Sequence, residues 1–146
     1  MNTQPSVNDT ICEGQKIKLV AKDGYILTAT KFIAKSPVKG HIIVAGATGV
    51  PQKFYRRFAE YACEKGFNTL TLDYRGVGES KPETLKGFKA TYLDWAQLDL
   101  AAAVNEMRDD AIPLFMVGHS FGGHALGLLP NHQYIDKFYG FAIGAG

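Results

Sequence analysis

The residues best placed to do chemistry are Gly118-His119-Ser120-Phe121-Gly122-Gly123. A serine hydroxyl is a weak nucleophile until its surroundings expose and activate it, and the flanking residues describe such surroundings. Leu114 to Val117, bounded by Pro113 and Gly118, is a short apolar run suited to a strand buried on both faces. Ala125, Leu126, Leu128 and Leu129 follow the serine, a composition that favours helix. The strand therefore stops at Ser120 and a helix starts there almost at once. So tight a turn forces its central residue into a strained backbone conformation, and the positions two before and two after it must be small for strand and helix to approach. Gly118 and Gly122 stand at those positions. The hydroxyl is then exposed at the carboxyl end of a sheet, beside a helix amino terminus whose free N–H groups favour developing negative charge. The alternative is a glycine-rich turn carrying an ordinary exposed serine.

Positioning such a serine requires a sheet and covering helices, and the chain supplies the pattern for both. Met1 to Gln15 is a polar, flexible lead-in. Lys16 to Ala21 alternates, with Ile17, Leu19 and Ala21 on one face, and Asp23-Gly24 turns the chain into a second strand, Tyr25 to Ala34, antiparallel to the first. From His41 the pattern becomes strand, helix, strand. Ile42 to Ala45 is a buried strand, and a helix from about Gln52 to Lys65 follows, with Phe54, Phe58 and Ala62 at helical spacing, Tyr55 and Ala59 beside them, and Gly66 as its stop. Phe67 to Leu72 is the next strand, and Asp73 to about Ala90 a long polar loop. Thr91 to Asp109 is a second helix with Leu93, Ala96, Leu100, Val104 and Met107 as its buried stripe. The serine strand, its helix to about Pro130 and a last strand from Phe138 to Ile143 complete the chain. The expected fold is α/β: a mostly parallel sheet entered by an antiparallel hairpin, with helices on both faces, in one domain from residue 16 to 146.

Composition bounds the function classes. A chain of 146 residues, 46% hydrophobic and 21% charged, is ordinary for a globular domain. Its net charge of +2 is spread without a basic stripe, which argues against nucleic acid as a partner. No window is long enough to span a membrane, and Met1 to Gln15 lacks an apolar signal core. Cys12 and Cys63 have no metal-ligand spacing and read as unpaired, which suggests a reduced, cytoplasmic protein.

With these residues in view, the chain resembles the α/β-hydrolase family. Gly118 to Gly123 is similar to its nucleophile elbow, Gly-x-Ser-x-Gly in strand–turn–helix context. Ala45-Gly46-Ala47-Thr48-Gly49 follows the first buried strand, where the family keeps its oxyanion loop, and Ala45 stands where histidine is common. The resemblance implies oxyanion N–H donors at Ala47 or Thr48 and at Phe121. Asp73-Tyr74-Arg75-Gly76-Val77-Gly78-Glu79-Ser80 resembles the Asp-x-Arg-Gly-x-Gly-x-Ser segment after the family's next strand, with a structural role: glycines for a tight turn, Arg75 and Asp73 hydrogen-bonding the loop. The wording of the residue 46–59 stretch is similar to a bacterial branch of α/β hydrolases. The implied activity is serine hydrolysis of an ester, thioester or amide in a small acyl substrate, through an acyl-enzyme on Ser120. A serine there disfavours dehalogenase and epoxide-hydrolase chemistry. No cofactor and no metal are implied.

A base and an acid are harder to find. The family's chain order is serine, acid, histidine, yet after Ser120 come only His124, His132 and Asp136. His124 lies one turn into the elbow helix, and His132 and Asp136 precede the last strand; surface or capping roles suit them better. His119 and His41 read as structural. The chain ends at Gly144-Ala145-Gly146, at the close of a strand, and so resembles the amino-terminal half of a hydrolase, with acid and histidine expected beyond residue 146 and an exposed last strand open to self-association. Two other classes remain. Gly46-Ala47-Thr48-Gly49, with Asp73 ending the next strand, imitates a dinucleotide-binding loop and its ribose acid, although Gln52, preceded by Pro51, takes the third glycine position. A catalytically inactive interaction module is the other.

Overall fold

The computed structural model describes residues 12–35 and 37–141. The lead-in up to residue 11, and the expected strand end at Ile143 with Gly144-Ala145-Gly146, lie outside the described residues. Strand β1 (Gly14–Val20) turns at Asp23-Gly24 into β2 (Ile26–Phe32), with Gly24 at φ +90° and the Ala21 N–H donating to the Tyr25 carbonyl at 2.9 Å. Strands β3 (Gly40–Ala45), β4 (Phe67–Leu72), β5 (Leu114–His119) and β6 (Lys137–Phe141) complete one sheet of order β1-β2-β4-β3-β5-β6. The pairs β4–β3, β3–β5 and β5–β6 are parallel, while β1–β2 and β2–β4 are antiparallel. This is the mostly parallel, hairpin-entered sheet that the pattern implies.

The inner strands are apolar throughout because each divides its side chains between two cores. Ile43 and Ala45 of β3, with Leu114 and Met116 of β5, enter the larger core, while Ile42, Val44, Phe115 and Val117 pack on the opposite face. The larger core is closed by helix α2, a continuous run of a short α turn (Tyr92–Asp94), a π-helical stretch (Trp95–Leu100) and an α-helical stretch (Ala101–Met107), and by the elbow helix α3 (Phe121–Ala125). The other face is covered by α1 (Arg56–Glu64), entered through a 3-10 turn at Gln52–Tyr55.

Two buried stripes differ from expectation. On α1 the buried residues are Tyr55, Ala59, Ala62 and Cys63, and Phe54 and Phe58 are exposed. Tyr55, Ala59 and Ala62 are common to the expected and observed faces, and the centre of the buried face lies about one residue further round than Phe54 and Phe58; small alanines let the helix sit close to the sheet, and Tyr55 is held inward by hydrogen bonds described below. On α2, Leu93 is 49% exposed while Ala96, Leu100, Val104 and Met107 are buried. The π stretch at Trp95–Leu100 adds a residue per turn and shifts the phase between Leu93 and the rest of the stripe.

The cysteines also correct the expectation of two separate thiols. Cys12 and Cys63 form a disulfide spanning 51 residues, packed against Phe32, Ala34 and Ala59, and it ties the entry to β1 onto α1.

A charged network lies under the sheet's carboxyl edge. Asp99 of α2 is fully buried and accepts from the Arg75 backbone N–H at 2.8 Å and from Nε at 2.9 Å. The same guanidinium grips Asp23 in the hairpin turn through Nη1 at 2.6 Å and Nη2 at 3.0 Å. Arg75 thus ties hairpin, loop and helix together. Burial pushes the Asp99 carboxyl above its usual range against the pull of Arg75, whereas the Arg75 hydrogen bonds hold the Asp23 carboxyl below it.

Two outcomes follow from this network. Asp99→Ala leaves a buried guanidinium short of one partner and costs about 3–5 kcal/mol in chemical denaturation. Because the Asp23 pKa is lower folded than unfolded, its contribution is present above pH ~4 and lost as pH falls through the folded value. The stability gap between wild type and Asp23→Asn is therefore flat near neutrality and closes in acid, as denaturation curves at a series of pH values will read.

Candidate active site

Ser120 is the one non-glycine residue with positive φ among the described residues, at φ 54° and ψ −112°. This is the strain that the Gly118-x-Ser120-x-Gly122 spacing implies. Its cause is close approach: a Cβ on Gly118 would lie 2.6 Å from the Gly122 carbonyl oxygen, and one on Gly122 would collide with the Ala45 carbonyl at the end of β3. The turn is held from both sides, by the Ser120 N–H donating to the Phe141 carbonyl at 3.2 Å and the Gly123 N–H donating to the Ser120 carbonyl at 2.9 Å. The Ser120 hydroxyl is half-buried and has no hydrogen-bond partner among the described residues.

The loop after β3 runs beside this turn because β3 and β5 are neighbours in register, with Ala45 opposite Gly118. Two tyrosines brace it. Tyr74, fully inside the core, donates its hydroxyl to the Gly46 carbonyl at 3.0 Å, and the Ala47 N–H donates to the Tyr55 hydroxyl at 2.7 Å. Tyr55 Oη also lies 2.8 Å from His119 Nδ1. The Tyr55 hydroxyl thus bridges the Ala47 N–H and the His119 ring. The His119 ring is stacked on Phe141 at 4.7 Å and on Phe54 at 6.2 Å. Burial raises the pKa of both tyrosines, so each braces the loop as a neutral phenol.

Of the expected oxyanion donors, Ala47 therefore has its N–H engaged by Tyr55, while the N–H groups of Thr48 and Phe121 find no acceptor among the described residues. The bracing role of Tyr55 and Tyr74 escapes a motif-based reading. The signal for it is Ala45, which removes the usual side chain at the head of the loop and leaves the bracing to aromatic residues further along the chain.

Among the described residues no histidine and no acid hydrogen-bonds the serine hydroxyl. His124 is exposed on α3, and His41 at the start of β3 meets Asn68 at 3.3 Å and Asp109 at 3.6 Å. His132 is in a 3-10 turn before β6. Asp136 accepts from the Leu114 N–H at 2.8 Å and clamps the starts of β5 and β6, the opposite end of the sheet from Ser120. The dinucleotide reading loses its acid as well: Asp73 accepts from the Gln52 N–H at 2.8 Å, from Gln52 Nε2 at 3.1 Å and from the Glu79 N–H at 3.0 Å, so the carboxylate anchors the entry to α1 and the Gly76–Gly78 turn. Gly76 and Gly78 take φ +82° and +51° there, as a tight turn requires.

Strain at Ser120 predicts a measurable asymmetry. Ser120→Gly relieves a conformation that Ser120→Ala keeps, so the glycine variant is the more stable of the two by about 1 kcal/mol in thermal or chemical unfolding.

Comparison with known proteins agrees with this geometry. The profile of the Hydrolase_4 family, described as serine aminopeptidase, S33, matches residues 28–145. Monoglyceride lipase of Saccharomyces cerevisiae is 30% identical over 105 residues, covering 70% of this chain and 33% of the lipase. The esterase Pf2001 of Pyrococcus furiosus superposes with a TM-score of 0.71 at 18% identity, covering 94% of this chain and 54% of the esterase. A soluble variant of the yeast monoglyceride lipase, solved with a substrate analog, gives 0.70 at 24% identity, covering 96% of this chain and 47% of that one. The chain thus spans a third to about half the length of these relatives. With the profile running from β2 past the elbow, the chain belongs to the serine aminopeptidase S33 family of the α/β hydrolases.

Proposed function

We propose that this chain carries the nucleophile and oxyanion side of a serine hydrolase that cleaves an ester, thioester or amide of a small acyl substrate through an acyl-enzyme on Ser120. The observation that carries the reading is the Ser120 backbone at φ 54°, a strain of about 1–3 kcal/mol kept at a half-exposed hydroxyl. In this mechanism Ser120 Oγ attacks the substrate carbonyl carbon while a base takes its proton, and the carbonyl oxygen becomes an oxyanion that accepts from the N–H groups of Phe121 and Thr48. Collapse of the tetrahedral adduct expels the leaving group with the proton returned by the base. Water then attacks the acyl-enzyme by the same route and frees Ser120. Ala47 joins as a third donor only if Tyr55 gives up its N–H.

Because the chain's four histidines have other placements or partners, the base and its orienting acid are assigned to residues beyond 146, a reading supported by the greater length of the relatives. Ester cleavage is favoured among the candidate bonds by the lipase and esterase names of those relatives. Among the described residues β6 is the edge strand of the sheet, with Tyr139 and Phe141 exposed, and is the surface through which a further segment or a second copy would pair. Among the described residues no helix is long and apolar enough to cross a membrane. The Cys12–Cys63 disulfide removes the unpaired thiols from which a cytoplasmic location was expected, and the state of the pair in protein isolated under thiol-blocking conditions tests that location.

The test is labelling by a fluorophosphonate of the protein as its own cells make it. Labelling that disappears in Ser120→Ala supports the acyl-enzyme; a folded protein that stays unlabelled sinks it in favour of an inactive interaction module.

A further inference from the structure

Resting on the acyl-enzyme reading, we infer that the cleft between Thr48 and the Ala90–Trp95 segment seats an unbranched aliphatic acyl chain of the substrate. The cleft has a volume of about 480 Å³ and is lined by Thr48, Ala90, Thr91, Tyr92 and Trp95. That size falls within the range of small-molecule sites. Its position is set by the oxyanion machinery: Thr48 is one wall, and the aromatic wall continues to the residue after the nucleophile, with Phe121 5.5 Å from Tyr92 and 5.8 Å from Trp95, centroid to centroid. Tyr74, stacked on Trp95 at 5.1 Å, supports that wall from beneath while its hydroxyl holds Gly46.

What the cleft offers a ligand is mostly apolar surface: the polar groups of Trp95 and Thr91 are engaged within the protein, and those of Thr48 face the Ser120 end. The Trp95 indole N–H donates to the Arg75 carbonyl at 3.1 Å, so the ring's polar edge faces the protein. The Thr91 hydroxyl accepts from the Asp94 N–H at 3.2 Å, and Asp94 Oδ2 accepts from the Thr91 N–H at 3.0 Å, a reciprocal cap that uses both side chains. No lining residue is charged. A peptide amino terminus would find no carboxylate there, and a sugar would find few free donors. Tyr92, 59% exposed, is the large ring that an incoming hydrocarbon would cover. The π-helical stretch has a part in this, since it turns Leu93 out of the core beside Tyr92 and directs Trp95 toward Tyr74.

Trp95 is the single tryptophan of residues 1–146, and the signal lost in a Trp95→Phe variant is the fluorescence that reports this cleft. The full chain carrying Ser120→Ala, which cannot turn the probe over, is titrated with methyl esters of ω-brominated straight-chain acids from the butanoate to the decanoate, below their micelle concentrations. The expected result is saturable quenching, with affinity rising about fourfold per added methylene, weakened at least about tenfold by Tyr92→Ala and kept by Tyr92→Phe. No quenching, quenching indifferent to chain length, or tight binding that survives Tyr92→Ala would each overturn the assignment. The two readings fail separately: Ser120 labelled by fluorophosphonate without chain-length-dependent quenching removes the acyl cleft and leaves the nucleophile, whereas quenching on an unlabelled protein removes the acyl-enzyme.

Discussion

The arrangement depends on one close approach, the backbone of α3 at Gly122 lying against the Ala45 carbonyl at the end of β3. Neither chain segment can move away without breaking the parallel register of β3 and β5, where Ala45 faces Gly118. The turn between β5 and α3 therefore has no room for a relaxed path, and Ser120 takes the positive φ. Packing of the larger core offsets that strain, since Ala125 of α3 and Ala45 and Met116 of the adjoining strands belong to one buried cluster. The exposure of Ser120 is thus a consequence of helix–sheet contact two residues away, and the two glycines are needed for that contact more than for flexibility.

The same economy of space governs the loop after β3. With alanine at position 45, the loop's polar groups must be met from elsewhere, and they are met from opposite faces of the sheet. Tyr74 reaches Gly46 from the larger core, and Tyr55 reaches Ala47 from the α1 side. Each tyrosine is tied to a different support: Tyr74 is stacked on Trp95, and Tyr55 sits at the head of α1, which Asp73 anchors through Gln52. Beneath these, Arg75 joins Asp23 and Asp99, so the hairpin that enters the sheet and the helix that closes its core share one guanidinium. A donor pair beside Ser120 is in this way referred back to nearly every element of the fold.

How much of this was legible in the sequence follows from the range of each interaction. The elbow was readable because its requirements are local: Gly118, Ser120 and Gly122 state a steric problem within five residues. Strand β4 falls on Phe67–Leu72 as read, since a short apolar run between Gly66 and a polar loop leaves little choice. The buried face of α1 is legible in Tyr55, Ala59 and Ala62 but not its centre, because Phe54 and Tyr55 are both apolar enough to be core and the decision rests on Ala47 and His119, distant in sequence. Leu93 was misplaced because a π turn has no clear residue signature. The Cys12–Cys63 bond was invisible because two cysteines 51 residues apart say nothing of their distance in space. Asp99 sits in a helix sequence where an acid reads as solvent-facing, and only Arg75, 24 residues earlier, explains its burial.

These contacts also bear on how an active site of this type can be assembled in stages. The Ser120 turn, the Gly46–Thr48 loop and the aromatic wall of Phe121 and Trp95 are each fixed by partners among the described residues, and their geometry borrows nothing from a catalytic base. The Ser120 hydroxyl and the N–H groups of Thr48 and Phe121 are left without partners among the described residues. A base therefore has a single geometric task, to come within hydrogen-bond reach of Oγ, and any segment that pairs on the open edge of β6 would approach from the side where Phe141 already holds the Ser120 N–H. The strain that exposes the hydroxyl and the contacts that fix the N–H groups beside it are thus set by the same helix–sheet packing, before any proton acceptor need be in place.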